Sequence, residues 1–153
     1  MERQVKLPLD IDGYLRRQCP QCLREFKWHH GPVEGAPHEP SAEVYFCPYC
    51  GVGAAPDQWF TQAQVETIHA EAVDAVLPEL ERELTQAMES LRRTGIIDVK
   101  VEQARRPTPP PPLIEQDDMV AVEPPCHPYE PVKVQTDWSS PIHCLVCGSR
   151  FVI

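Results

Sequence analysis

From Ala70 to Leu91 the apolar residues recur alternately three and four apart, at Ala70, Val73, Leu77, Leu80, Leu84, Ala87 and Leu91. That spacing draws one stripe along a helix and keeps it for about three heptads. The ends of the helix are marked as well. Thr61 and Gln64 form a capping box with Phe60 and Val65 placed as a hydrophobic staple, and Asp57 offers an alternative start one turn earlier. At the other end Arg92 and Arg93 complement the helix dipole and Gly95 supplies a left-handed cap. About 33 helical residues would span ~50 Å. Pro78 lies inside this stretch and removes one backbone hydrogen bond, so the sequence predicts either a kinked helix or a second helix whose first turn holds Glu79, Glu81 and Glu83.

Elsewhere the period shortens to two. Val5, Leu7 and Leu9 alternate with polar residues ahead of a turn at Asp12-Gly13, and Ile97, Val99 and Val101 do the same after the helix, so each predicts a short strand. Further strands are expected around Tyr14-Leu15, Phe26 to Trp28, Val44 to Phe46, Met119 to Val122, Val132 to Val134, Ile142 to Leu145 and Phe151 to Ile153. Thr108 to Pro112 contains four consecutive prolines, which favour an extended spacer and could also dock an aromatic groove.

The turns between these strands carry the chemistry. Cys19-Pro20-Gln21-Cys22 and Cys47-Pro48-Tyr49-Cys50-Gly51 are two tight pairs, each at the end of an apolar, aromatic strand. Two such turns can aim four thiolates at one point and close a tetrahedral zinc site. Over residues 14 to 53 the pattern resembles the zinc-ribbon class with rubredoxin-like knuckles. That resemblance implies a small β ribbon, and such ribbons are similar to parts of transcription factors, polymerase subunits, ribosomal proteins, enzyme appendages and interaction modules. A ligand set of four thiolates leaves no position open for water or substrate, which points to a structural site. A ribbon this small buries too little apolar surface to offset its chain entropy, so metal is expected to be a condition of folding.

Near the C-terminus Cys144-Leu145-Val146-Cys147-Gly148 repeats the knuckle pattern, with Cys126 as a third thiol upstream. His127 is the first candidate for the fourth ligand of a second zinc and His143 the second. A three-ligand site with an open position, or a metal-free β module, are the alternatives. His29, His30 and His38, in and beside a Gly/Pro-rich insertion, read as solvated loop residues or spare ligands. His69-Ala70-Glu71 with Cys144 and Cys147 forms a poor match to a zinc deaminase signature, and an enzyme using an open zinc is the least favoured function.

Charge narrows the partners. Asp and Glu number 23 against 14 Lys and Arg, a formal net charge of −9, which opposes attraction to polyphosphates. The acidity lies in the helical and linker segments, so a local nucleic-acid contact at Arg16, Arg17, Arg24, Lys27 and Trp28 stays open. The competing reading has these cations offset the negative charge of a zinc tetrathiolate while Trp28 covers the small core. No apolar run reaches the roughly 18–20 residues of a membrane span, the N-terminus lacks a secretory apolar region, and paired cysteines suit a reducing compartment.

The sequence therefore predicts a small, metal-bound α+β protein of the cytoplasm. An N-terminal zinc ribbon (1–56) is followed by a helical segment (57–95), a strand with a proline-rich acidic linker (96–118) and a smaller C-terminal ribbon-like module (119–153). The favoured function is a non-enzymatic adaptor with two structural zinc ions. It would bind another protein, or itself, through a seam at Val73, Leu77, Leu80, Leu84 and Leu91. A nucleic-acid-binding or transcription-associated ribbon is the alternative.

Overall fold

Alternating apolar residues on either side of the first cysteine turn fold back on each other. The computed structural model describes residues 4–38, 42–98, 100, 102–103 and 105–153. Strand β1 (Tyr14–Gln18) pairs antiparallel with β2 (Glu25–His29), from Tyr14 opposite His29 to Gln18 opposite Glu25. Short strands β3 (Tyr45–Phe46) and β4 (Gly53–Ala54) flank the second turn. After helix α1 (Gln62–Arg92) come β5 (Met119–Val122), β6 (Val132–Gln135), β7 (Ile142–His143) and β8 (Arg150–Phe151), the last two forming a ribbon of their own.

The main sheet joins segments far apart in the chain. Its order is β1-β2-β6-β5, with Lys27 opposite Lys133 and Trp28 opposite Val132 where β2 meets β6. The sequence suggests separate modules at residues 1–56 and 119–153, whereas the structure gathers Leu7–Gln62 and Leu113–Ile153 into one compact unit. The physical reason is burial. Phe26 and Trp28 of β2 cluster with Tyr45, Tyr49 and Trp59, and Val132, Val134, Ile142 and Leu145 of the second segment join the same core.

Strand alternation gives this sheet a second, charged face. Arg16, Lys27 and Lys133 are consecutive cross-strand neighbours on it. Three like charges in a row destabilise a sheet unless they are answered. Carboxylates answer them: Asp10 lies 3.3 Å from Lys27 and 2.8 Å from Lys133, Glu115 lies 2.9 Å from Lys27 and 2.8 Å from Arg16, and Asp118 lies 2.6 Å from Arg16. The acidic stretch Glu115 to Asp118, expected to be linker, is a strap across this face.

The other compact unit comprises residues 4–6 with Ala63–Pro112, so the helix and the prolines form an insertion in the chain of the first. Helix α1 begins directly after Thr61, the expected N-cap, and both Thr61 and Gln64 are buried. Gly95, at φ +71°, closes its far end with an amide bonded to the Arg92 carbonyl. Pro78 lies within one continuous helix, so the two-helix alternative is set aside. No strand forms over Val5, Leu7 and Leu9: Pro8 has no amide to give a ladder, Leu7 packs on the core, and Asp10 instead accepts the amides of Asp12 and Tyr14 in a turn. Of the strand expected at Ile97, Val99 and Val101, the two valines lie outside the described residues, and Ile97 and Asp98 are not in a strand. Among the described residues no helix is long and apolar enough to cross a membrane.

Candidate metal centres

Each Cys-x-x-Cys segment folds into the same turn. The amide of the first cysteine bonds the carbonyl five residues on: Cys19 to Arg24, Cys47 to Val52, Cys144 to Ser149. That cysteine's own carbonyl accepts the amide four residues on, from Leu23, Gly51 and Gly148. This double closure turns the backbone amides between the cysteines toward the first sulfur, as Gln21 and Cys22 show at 3.4 Å from Cys19 Sγ. Those amides favour the thiolate.

Cys19, Cys22, Cys47 and Cys50 converge, with Cys19 and Cys50 sulfurs 3.6 Å apart and those of Cys22 and Cys47 3.8 Å apart. A tetrahedral ion with bonds of ~2.3 Å has sulfur-to-sulfur edges of ~3.8 Å, so the four thiols fit one metal ion. Electrostatics make the same demand. Burial pushes the Cys47 thiol up, and Cys22 also rises, whereas at Cys19 the amide hydrogen bonds outweigh burial and lower it. Several thiolates buried side by side require a cation to offset their repulsion and lost hydration.

The second group is Cys126, His127, Cys144 and Cys147. Cys126 and Cys147 sulfurs are 3.5 Å apart, and His127 Nδ1 lies 3.4 Å from Cys144 Sγ. These edges again suit a tetrahedral ion, here with three sulfurs and one nitrogen. The seven cysteines thus divide four and three between the groups, with His127 completing the second set. The Ser149 hydroxyl, 3.2 Å from Cys147 Sγ, leads the hydrogen bonds that bring this thiol down to about 6, while burial takes Cys144 up to about 12. His143, the second candidate for the ligand, is engaged elsewhere: its Nδ1 is 3.2 Å from the Pro48 carbonyl, and its ring lies against Gly51, where a Cβ would meet it at 3.0 Å.

His143 belongs to a seam between the two centres. Its amide donates to Pro48 at 2.8 Å, and Phe46 donates to the Leu145 carbonyl at 2.8 Å, so the second and third knuckles are bonded to each other. The Tyr49 hydroxyl, between Cys47 and Cys50, donates to the Glu25 carbonyl and accepts the Gln135 amide, and burial raises its ionisation to about 12. One side chain of the first site therefore ties β2 to the end of β6.

The cations near the first knuckle do not form an open basic face. Lys27 is 0% exposed beneath the strap, Arg16 bridges Glu25, Glu115 and Asp118, and Trp28 is part of the core. Arg17 is buried with its guanidinium 4.4 Å from the Trp28 ring and 4.9 Å from that of Phe60, and burial lowers its ionisation to about 10. Only Arg24 of the five is exposed, stacked 5.0 Å from Trp138. The contact set expected for nucleic acid is dispersed because the sheet and the strap use four of its members internally. His29 packs edge-on against Tyr14, and His29, His30, His38 and His69 join no metal-binding group among the described residues.

Asp10, Glu115, Asp118 and Lys133 went unrecognised in the sequence as parts of one network. A signal was present in strand parity: Lys27 sits between Phe26 and Trp28, and Lys133 between Val132 and Val134, so both lysines had to face away from the core. Comparison with known proteins returns no matching family model, no matching curated sequence and no matching solved structure.

Proposed function

We propose that the chain is a non-catalytic, zinc-stabilised scaffold that presents α1 as a protein-docking helix. One observation carries this reading: the apolar stripe of a continuous 31-residue helix stands in solvent, with Val73, Leu80, Leu84 and Leu91 between 42% and 54% exposed. Gln64 is the sole buried residue of that helix. A row of half-exposed leucines along one face marks an interaction site in a folded protein. The two ligand groups support a structural role for the metal. One offers four thiolates and the other three thiolates with an imidazole, closed sets that zinc favours, and neither leaves a ligand position for substrate. A chain with all its thiols committed to metal suits the reducing cytoplasm.

Native mass spectrometry of the purified chain and of a Leu80→Asp/Leu84→Asp variant tests the proposal. Two zinc ions per chain are expected in both proteins, with an unchanged melting transition of the metal-bound body. A single zinc ion, or none, in the folded wild type would sink the scaffold reading. Loss of zinc or of folding in the variant would mean that the stripe is packed within the chain rather than offered to a partner.

A further inference from the structure

We infer that the stripe on α1 receives a basic amphipathic helix of another protein; this deepens, and rests on, the docking role proposed above. The argument is charge complementarity along the stripe's borders. Asp74 and Glu81 follow it on one side and Glu83 on the other, and no lysine or arginine stands at any bordering position. Among the described residues none of these three carboxylates has an ion pair. The cations of the segment lie elsewhere: Arg82 is turned to Glu79 at 3.4 Å, and Arg92 and Arg93 follow the last stripe residue, Leu91.

A second copy of this chain supplies no lysine or arginine at those borders. Antiparallel pairing about Leu77 and Leu80 sets Asp74 against Glu81, and in-register parallel pairing sets Asp74 against His69 but leaves Glu81 opposite Val76 and Glu83 opposite Met88. An anionic membrane surface or a nucleic acid meets the same acidic borders and is repelled. The occupant that satisfies both features has an apolar face to cover Val73, Leu77, Leu80, Leu84 and Leu91 and lysines or arginines beside that face. The stripe from Ala70 to Leu91 is ~30 Å long, which matches about 20 residues of helix.

Two synthetic 21-residue helical peptides with the same leucine seam, one bordered by lysine and the other by glutamate, serve as probes. Fluorescence anisotropy with the full, metal-loaded chain is read at about 50 and 500 mM NaCl. The lysine peptide is expected to bind about tenfold more tightly at low salt, and to lose that advantage at high salt. Asp74→Asn/Glu81→Gln/Glu83→Gln should abolish the preference while retaining binding, and Leu80→Asp/Leu84→Asp should abolish binding of both peptides. Equal affinity for the two peptides would overturn the basic partner and leave the docking role standing. Binding of neither would overturn both, and a dimer of the chain that excludes both peptides would assign the stripe to a second copy.

Discussion

Leu23 stands after the second cysteine of the first knuckle, where Gly51 and Gly148 stand in the other two, and it takes the same left-handed backbone, φ +61° against +73° and +72°. The shared turn demands this conformation, since the residue there donates its amide back to the first cysteine's carbonyl. An L-residue in that region costs ~1–2 kcal/mol, and Leu23, 66% exposed, recovers little of it by packing. Leu23→Gly is therefore expected to raise the stability of the metal-bound chain by about 1 kcal/mol, less the greater chain entropy of glycine. Thermal or denaturant unfolding at fixed zinc measures it, and a destabilised variant would show that the Leu23 side chain makes a contact that matters more than its strain. At this scale the ligands were legible, because Cys-x-x-Cys encodes a local turn. Leu23 was not, because the motif names the cysteines and leaves the strained position after them to the backbone.

Strands near the cysteines could be read from alternation, but their partners could not. The pairing of β2 with β6 joins residues about a hundred positions apart, and no periodicity states it. It is this pairing that turns an acidic stretch, solvated on the sequence's own terms, into a strap holding Arg16, Lys27 and Lys133. The pair of buried lysines makes Asp10 its central anion: burial alone would raise the carboxyl, but Lys133, the Tyr14 amide and Lys27 bring it down to about 2. A carboxylate depressed in the folded state adds stability above its unfolded pKa and loses it as pH falls from ~4 to 2. Thiolate ligands release their metal above that range, so within the metal-bound range the contribution of Asp10 should be constant. Asp10→Asn removes the one fully buried carboxylate shared by Lys27 and Lys133, which keep Glu115 and Asp12 as partners, and is expected to cost about 2 kcal/mol, by the same amount from about pH 6 to pH 9. Denaturant midpoints of wild type and variant across that range check it. A gap that narrows toward pH 6 would mean that Asp10 titrates near neutrality and does not anchor the strap as described.

Across the body that carries both centres, the division suggested by sequence changes meaning: two knuckle-bearing segments that look like separate modules share one core, and their metal groups share a seam. The Pro48 carbonyl, between Cys47 and Cys50, is held by His143, the neighbour of Cys144, and Phe46 and Leu145 are bonded across the same seam. Neither segment has a sheet of its own large enough to stand alone, so the free energy of binding an ion at either group would also be folding free energy for the other. Metal release should therefore be cooperative. On titration with a chelator, two zinc ions are expected to leave in one transition that coincides with loss of the near-ultraviolet signal of Trp28 and Trp59, both in the shared core. Cys126→Ser, which removes an exposed ligand of the second group and no core side chain, is expected to weaken the remaining ion at the Cys19, Cys22, Cys47 and Cys50 group by about tenfold or more. The variant isolates the coupling because Cys126 belongs to the second group and not to the first. Two independent release steps, or a first site indifferent to Cys126→Ser, would show that the seam transmits nothing and that the halves fold as separate modules after all.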